Sequence, residues 1–133
     1  MKKLLVACGL FSAVFIAAQT SHAQPRPYTP EKGSPERKAI LDAVRKFRKA
    51  PNEVYTPYGF NVMQRWAMVA ARDPNDLEVD TEAFEYVLRK TGGSWKVVDQ
   101  VSNIEGTDPN KEIKRIRRKY PSLPAAVLDL KVE

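Results

Sequence analysis

The stretch between residues 83 and 101 constrains the fold more than any other part of this chain. Two runs of aromatic and β-branched residues alternate with period two, and Gly92-Gly93 separates them. Alternation of this kind on both sides of a Gly-Gly pair predicts a β-hairpin. One face of the first run carries Phe84, Tyr86 and Leu88, and one face of the second carries Trp95, Val97, Asp99 and Val101. We expect the rest of the chain to cover or extend this hairpin.

Two segments before the hairpin are also predicted to be strands. Residues 54–63 form the first, where Pro57 restricts part of the strand to a sheet edge or a bulge and Gly59 is a candidate for the bulge. Residues 65–72 alternate more clearly, and residues 63–65 would form a tight turn between the two strands. Because short connections favour antiparallel neighbours, the sequence predicts a sheet of four antiparallel strands.

A helix is predicted to begin at Ser34, whose hydroxyl can accept a hydrogen bond from a free backbone N–H. Pro35 suits the first helical position, and Pro51 ends the helix. Its apolar stripe, which we expect to lie across one face of the sheet, consists of Ile40, Leu41, Val44 and Phe47. The basic residues outside the stripe are interpreted as a solvated face, and a polyanion-binding face is the alternative.

A second, shorter helix is predicted over residues 111–120, with Asp108 as its cap and Pro109 at its first position. One side of it carries Ile113, Ile116 and Tyr120. A final turn at residues 124–128 is expected to dock on the body of the domain through Val127, Leu128 and Leu130.

The sequence therefore predicts an α+β fold in which an N-terminal helix packs on a curled four-stranded antiparallel sheet, followed by a short C-terminal helix. Residues 34–133 form this single domain. Residues 24–33, which contain Pro25, Pro27 and Pro30, are predicted to be an extended leader that Tyr28 attaches to the fold. The aromatic residues expected in the core are Phe47, Phe60, Trp66, Phe84, Tyr86 and Trp95.

Residues 1–23 have the pattern of a signal peptide. Lys2 and Lys3 precede an apolar run of about 15 residues, shorter than the roughly 20 of a membrane-spanning helix. Small residues at the end of the segment predict cleavage between Ala23 and Gln24, which implies a periplasmic or secreted protein. A membrane anchor is the alternative, and lipidation at Cys8 is disfavoured because too few apolar residues precede it.

Processing would remove the chemistry of sulfur and imidazole. Cys8 and His22 are the only Cys and His in the chain, and both lie in the predicted signal peptide. A serine nucleophile would then lack a histidine base, and a metal would have only oxygen ligands. The acidic cluster that could supply them lacks the spacing of a calcium loop and is interpreted as a solvated loop; it consists of Asp73, Asp76, Glu78 and Asp80. The sequence predicts no metal and no cofactor.

Several segments resemble a known structural family. The helix start at residues 33–43, the strand at residues 65–69, the pair Thr107-Asp108 and the pair Tyr120-Pro121 occur in the same order as in small secreted bacterial proteins that have no assigned activity. Those proteins have the cystatin-like, or nuclear-transport-factor-2-like, α+β cone fold, and the hairpin at residues 86–99 looks like part of it. The resemblance implies this fold, which hosts enzymes, binding proteins and scaffolds, and implies no particular function.

The resemblance also implies a pocket between helix and sheet, where enzymes of this fold carry out their chemistry. If the face of Asp99 is the interior, the pKa of its carboxyl would rise and it could act as a base beside a tyrosine. The alternative is a twist or bulge that leaves Asp99 at the rim, paired with a Lys or Arg. The pocket candidates are Tyr55, Tyr58, Trp66, Tyr86, Trp95 and Asp99.

The short C-terminal helix is strongly basic, with Glu112 as its one acid. Its cations are Lys111, Lys114, Arg115, Arg117, Arg118 and Lys119. An anionic surface is their natural partner, whether phospholipid headgroups, lipopolysaccharide or an acidic protein, and a solubilising face is the alternative. Nucleic acid is not expected at the cell envelope. We interpret the chain as a non-enzymatic accessory or binding protein of an unknown envelope partner; the alternatives are a small-ligand binder or enzyme using the pocket, and an envelope-surface protein using the basic helix.

Overall fold

The structure, a computed structural model, describes residues 24–72, 84–102 and 106–130. Its elements in chain order are α1 (Pro35–Arg48), β1 (Thr56–Met63), β2 (Trp66–Arg72), β3 (Phe84–Thr91), β4 (Ser94–Val101), α2 (Pro109–Lys119) and a C-terminal 3-10 turn (Ala125–Leu128). The predicted α+β class and its order of elements are confirmed. Among these residues no helix has the length and apolar character to cross a membrane. The predicted signal peptide and the acidic cluster at residues 73–80 lie outside the described part.

The sheet is an antiparallel meander in the order β1-β2-β3-β4. Gly92 and Gly93 connect β3 to β4 with φ angles of 57° and 79°, so the Gly-Gly pair supplies two consecutive left-handed residues, as a two-residue hairpin turn favours. Between β1 and β2, Gln64 takes a φ of 57° in the tight turn that the sequence predicts. Both hairpins are therefore set by short local connections.

Two bulges interrupt the pairing. In β1, Pro57 pairs with Ala71 and Gly59 pairs with Ala70, so Tyr58 is the extra residue. The prediction of a bulge beside Pro57 is confirmed, but Tyr58 rather than Gly59 occupies it. The second register shift lies between β3 and β4, where Val98 is the extra residue.

Helix α1 covers one face of the sheet. The Ser34 hydroxyl accepts a hydrogen bond from the Arg37 N–H at 3.2 Å, as a capping residue should. Ile40 and Val44 are fully buried and meet a cluster of sheet residues that includes Phe60, Val62, Val69, Tyr86, Leu88 and Trp95. Phe47, which the sequence placed in the core, is 49% exposed, because it lies at the rim of the helix–sheet interface beside the Tyr86 ring.

Helix α2 and the C-terminal turn cover the opposite face. Ile116 of α2 and Val127 of the turn are fully buried against a second cluster, whose sheet members are Trp66, Met68, Val87 and Val101. Leu128 and Leu130 pack on the same cluster, so the predicted docking of the C-terminal segment is confirmed. Strand β2 has small or apolar residues on both faces because both of its faces are buried.

The proline-containing leader attaches to the free edge of β1. Tyr28 and Val62 exchange two backbone hydrogen bonds of 2.9 and 2.7 Å, and the Thr29 hydroxyl donates to the Phe60 carbonyl at 2.8 Å. The buried Arg37 side chain donates to the Pro30 carbonyl at 2.9 Å. Tyr28 therefore fastens the leader, as predicted, and its backbone covers part of an edge strand that would otherwise have unpaired groups.

Candidate functional site

The bulge at Val98 decides where Asp99 lies. Before the bulge, Trp95 and Val97 pack on the α1 side of the sheet. After it, Val101 belongs to the cluster on the α2 side, and the Asp99 carboxylate meets side chains of α2. An extra residue in one strand shifts the alternation of faces by one position. The Asp99 carboxylate therefore lies on the opposite side of the sheet from the indole of Trp95.

Two cations of α2 hold the Asp99 carboxylate. Arg115 donates to it in a bidentate manner, from Nη2 to Oδ1 at 3.0 Å and from Nη1 to Oδ2 at 3.2 Å. The Lys119 ammonium donates to Oδ2 at 3.1 Å. The side chain of Asp99 is only 9% exposed, whereas those of Arg115 and Lys119 are 41% and 58% exposed. The arrangement is a two-cation clamp at the rim of the sheet.

The pKa of the Asp99 carboxyl is low rather than high. Burial alone would raise this pKa, but the hydrogen bonds from Arg115, from the Gln100 N–H and from Lys119 outweigh it and lower the pKa to about 2. The hypothesis that Asp99 is a base with a raised pKa is therefore wrong, and the interpretation of a bulged strand end with a Lys or Arg partner is confirmed.

Further bonds join α2 to the end of β4. Arg115 also contacts the Glu112 carboxylate at 3.0 Å and the Gln100 carbonyl at 3.2 Å, and its pairing with Asp99 raises the pKa of its guanidinium. The Tyr120 hydroxyl donates to the Val98 carbonyl at 2.7 Å. These contacts give Arg115 and Lys119 a positioning role within the domain.

The predicted pocket residues do not form one site. Tyr55 and Tyr86 lie on the α1 side; the Tyr55 hydroxyl donates to the Glu53 carboxylate, and the Tyr86 hydroxyl accepts from Arg48. Tyr58 occupies the bulge of β1. Trp66 lies on the α2 side, edge to face with Tyr120 at 5.5 Å between ring centroids. The sheet thus separates both Asp99 and Trp66 from the buried tyrosines.

The remaining cations of α2 face outward. At about 100° per residue, Lys111, Lys114 and Arg118 project within about 40° of the direction opposite the buried Ile116. We call these three residues the basic stripe. All three are exposed, as is Arg117 on its flank, and no acid of the described residues pairs with any of them. The six basic residues predicted as one surface therefore divide into a clamp and a free outward face.

A groove runs between α1 and β4, on the side of the sheet where the resemblance implies a pocket between helix and sheet. It has a volume of about 420 Å³ and is lined by Ala43, Lys46, Phe47, Ser94, Trp95, Lys96 and Val97. Of the six predicted pocket residues, this lining includes Trp95. Its two sides come from segments about fifty positions apart, so no local pattern in the sequence could have revealed it.

Metal ligands are not brought together in the ranges that the structure describes, where no three Asp, Glu, Cys or His side chains are close enough to hold an ion. Comparison with known proteins adds no identification: no protein-family model, no curated protein and no solved structure matches the chain. The resemblance to cystatin-like secreted proteins stays a prediction.

Proposed function

We propose that the chain is an exported, non-enzymatic binding protein that attaches to an anionic lipid surface of the cell envelope through the basic stripe of α2. The observation that supports this most directly is that the cations of α2 fall into two groups. Arg115 and Lys119 pair with the Asp99 carboxylate. The basic stripe, by contrast, is exposed and has no acidic partner among the described residues; it consists of Lys111, Lys114 and Arg118. Like charges this close repel one another, and an external anion would relieve the repulsion.

The shape of the stripe favours headgroups over a folded acidic partner. Its three cations stand on the convex outer face of a helix of 11 residues, and no large apolar side chain of α2 shares that face. Protein interfaces usually bury apolar and aromatic residues at their centre. A purely cationic face instead suits a plane of repeated phosphates, where each Lys or Arg contributes about 1 kcal/mol.

The small binding free energy of three cations makes this attachment weak and sensitive to salt. Three cations contribute about 3 kcal/mol, which corresponds to a dissociation constant of several millimolar in accessible lipid. Such binding holds a protein at a surface only when that surface is densely charged or a second contact adds to it. We therefore place the protein at the envelope as a peripheral, exchangeable component.

The non-enzymatic part of the proposal is supported by the chemistry that the processed chain retains. Residues 24–133 contain no Cys or His. The most buried acid discussed above, Asp99, is held ionised between two cations and on the far side of the sheet from Tyr55 and Tyr86. A general base needs a pKa near the working pH and a nearby donor, and this geometry supplies neither.

Export through residues 1–23 is part of the same proposal, as is membership of the cystatin-like secreted proteins. The positive start, the apolar run and the small residues before Gln24 support export. Expression of the full chain in a bacterial host, followed by mass measurement of the periplasmic product, tests it. We expect a product that begins at Gln24; an uncleaved chain in the cytoplasm, or an acylated product beginning at Cys8, would contradict it.

Vesicle cosedimentation tests the surface proposal. Vesicles of phosphatidylglycerol and phosphatidylcholine are mixed with the processed protein at about 0.02 M and about 0.5 M salt, where the Debye length falls from roughly 20 Å to about 4 Å. We expect binding only to the anionic vesicles and only at low salt. A failure to bind these vesicles at low salt would overturn the proposal, and capture by an acidic protein instead would reassign the stripe.

A charge-matched pair of variants makes the test specific. The stripe variant replaces Lys111, Lys114 and Arg118 by Gln. The control variant replaces three exposed cations elsewhere, Arg26, Lys32 and Arg65, by Gln and so has the same net charge. We expect the stripe variant to lose binding at least about tenfold while the control stays within about threefold of the native protein. Equal losses would mean that net charge alone drives attachment.

A further inference from the structure

We propose that Arg89 and Lys96 form a second contact with the anionic lipid surface to which the basic stripe of α2 attaches. We call these two residues the hairpin pair, because they stand at the end of the sheet where β3 turns into β4. This role rests on the proposed function, in which three cations alone bind weakly and a second contact is needed to hold the protein at a surface.

The hairpin pair stands on the α2 side of the sheet. Arg89 of β3 and Lys96 of β4 are direct register partners, so their side chains project from the same face. The Arg89 guanidinium lies 5.2 Å from the centroid of the Trp66 ring, which belongs to the cluster on the α2 side. The neighbours of Lys96 in β4, Trp95 and Val97, pack on the α1 side. The basic stripe points away from the same face as the hairpin pair, because the opposite side of α2 is buried against that face.

The hairpin pair adjoins the C-terminal end of α2. The ring of Tyr120, which ends the helix, packs edge to face on Trp66 at 5.5 Å between centroids. Arg89 and Tyr120 therefore both contact the same indole. Arg118 of the basic stripe lies two positions before Tyr120. A surface that meets the C-terminal end of α2 is thus also brought close to the hairpin pair.

The charges of the hairpin pair are not balanced within the part of the chain that the structure describes. Arg89 and Lys96 are both exposed, and no acid of these residues forms a salt bridge with either. Like charges directly opposite each other on neighbouring strands are destabilising. A lysine on the edge strand β4 protects that edge, but β3 is an interior strand, so edge protection does not account for Arg89. An external anion would relieve the repulsion between the two cations.

The number of cations sets the expected gain in affinity. Two Lys or Arg side chains in contact with an anionic surface raise affinity up to about thirtyfold. The basic stripe stands further from the sheet than the hairpin pair by roughly the 10 Å thickness of a helix, so a flat surface approaches the pair less closely. We therefore expect the hairpin pair to contribute about tenfold rather than the full amount.

Matched double variants test the second contact by vesicle cosedimentation at about 0.02 M salt, where the Debye length is roughly 20 Å. The pair variant carries Arg89→Gln and Lys96→Gln. The control variant carries Lys46→Gln and Lys90→Gln, which remove two cations from the α1 side and give the same net charge. Lys90 is matched to Arg89, because its ammonium also lies over a tryptophan ring, 5.6 Å from the centroid of Trp95. Circular dichroism checks that both variants fold.

We expect the pair variant to bind phosphatidylglycerol vesicles about tenfold more weakly than the native protein, and the control variant to stay within about twofold. Equal affinities of the two variants would overturn the second contact.

A single fluorescent label tests the orientation with both charges in place. Residues 24–133 contain no Cys, so one introduced Cys is labelled uniquely. Thr91→Cys places the label two positions after Arg89 on the same face of β3, and Ala39→Cys places it on α1; both positions are exposed. On phosphatidylglycerol vesicles we expect an environment-sensitive dye to shift its emission to shorter wavelength at residue 91 and to stay unchanged at residue 39. Equal shifts, or a shift at residue 39 alone, would overturn the proposed orientation.

The two proposals fail separately. If the native protein does not bind anionic vesicles at low salt, both are wrong. If the stripe variant loses binding and the pair variant does not, only the second contact is wrong. If the pair variant alone loses binding, the hairpin pair is confirmed and the assignment of the surface to α2 is wrong.

Discussion

The two faces of the sheet are covered by helices that attach in different ways. Helix α1 presents the fully buried Ile40 and Val44 to a cluster of large apolar residues. Helix α2 presents one fully buried residue, Ile116, and is also held by the Asp99 clamp and by Tyr120, whose ring packs on Trp66 and whose hydroxyl donates to the Val98 carbonyl. The difference teaches that one face is held by hydrophobic packing and the other partly by charge, so pH and salt should act mainly on α2.

The division also separates the charged surface from the groove. On the α2 side, Arg115 and Lys119 hold the helix to the sheet through Asp99, and the basic stripe faces outward. No two-cation clamp of this kind is seen among the described residues on the α1 side, where a groove lies between Phe47 and Trp95. Elements with few buried apolar contacts open most easily, so α2 is expected to be the less stable of the two helices.

The largest effect is expected in the core on the α1 side. Phe60→Ala removes a fully buried ring and should lower the free energy of unfolding by about 3–5 kcal/mol. Phe47→Ala removes the same side chain from the exposed rim and should cost less than about 1 kcal/mol. Urea denaturation of both variants measures the difference. Similar losses would show that Phe47 belongs to the core after all.

A smaller, localised effect is expected on the α2 side. Ile116→Ala should destabilise the domain by about 2–4 kcal/mol, since it empties the one buried position of α2. Hydrogen exchange should show that the amides of α2 lose protection first, while those of α1 keep it. Ile113→Ala, at a half-buried position, is the control and should cost less. Uniform loss of protection in both helices would contradict the expectation that α2 is the less stable of the two.

The clamp should make part of the stability depend on pH. The ordinary pKa of an aspartate is 3.8, and in the folded protein that of Asp99 is about 2, so the unfolded chain binds the proton first as the pH falls. The stabilisation is present above about pH 4 and disappears as the pH falls to about 2. After allowance for solvent screening, Asp99→Asn should cost roughly 1 kcal/mol at pH 7.

The measurement compares urea midpoints of the native protein and Asp99→Asn at pH 7 and pH 2.5, where the gap between them should shrink. The control is Asp42→Asn, because Asp42 pairs with Lys38 and Arg45 on the exposed surface of α1 and its pKa is also lowered, first by the hydrogen bond from Lys38. That change should stay within about 0.5 kcal/mol at both pH values. A gap for Asp99→Asn that does not change with pH would contradict the clamp.

The smallest effect is expected for the basic stripe. Replacing Lys111, Lys114 and Arg118 by Gln should change the free energy of unfolding by no more than about 0.5 kcal/mol, because the side chains are exposed and repel one another. Thermal and urea unfolding of this variant check the value. A loss above about 1 kcal/mol would mean that the stripe serves the fold rather than an external partner.

Much of the fold could be predicted because its signals are local. Ser34 with Pro35 and Asp108 with Pro109 begin their helices as the capping residues indicate. Gly92 and Gly93 both take positive φ, which other residues adopt at a cost in free energy. Two adjacent residues therefore suffice to predict the hairpin turn. The prediction that Tyr86 and Leu88 share one face of β3 is also confirmed, and β3 pairs with β2 without interruption.

The candidate site could be predicted only in part. The six cations of α2 were identified, but not their division, because the partner of Arg115 lies 16 positions away on a strand. The resemblance implied a pocket between helix and sheet, but of the groove lining Trp95 alone was predicted, because the other lining residues are not unusual in their own segments. A site forms where elements distant in the sequence pack together. The alternation of residues along one strand does not predict which helix will pack against it.

The sequence by itself determined where helices and strands begin, which residues the processed chain would retain, and how much positive charge α2 carries. The tertiary structure alone decided which face of the sheet each helix covers and that Asp99 belongs to the α2 side. The physical reason is the bulge at Val98: it arises from the pairing of β4 with β3, and one extra residue reverses every later side chain. Alternate residues of a strand stay on the same face of the sheet only while the strand keeps its register with the neighbouring strand.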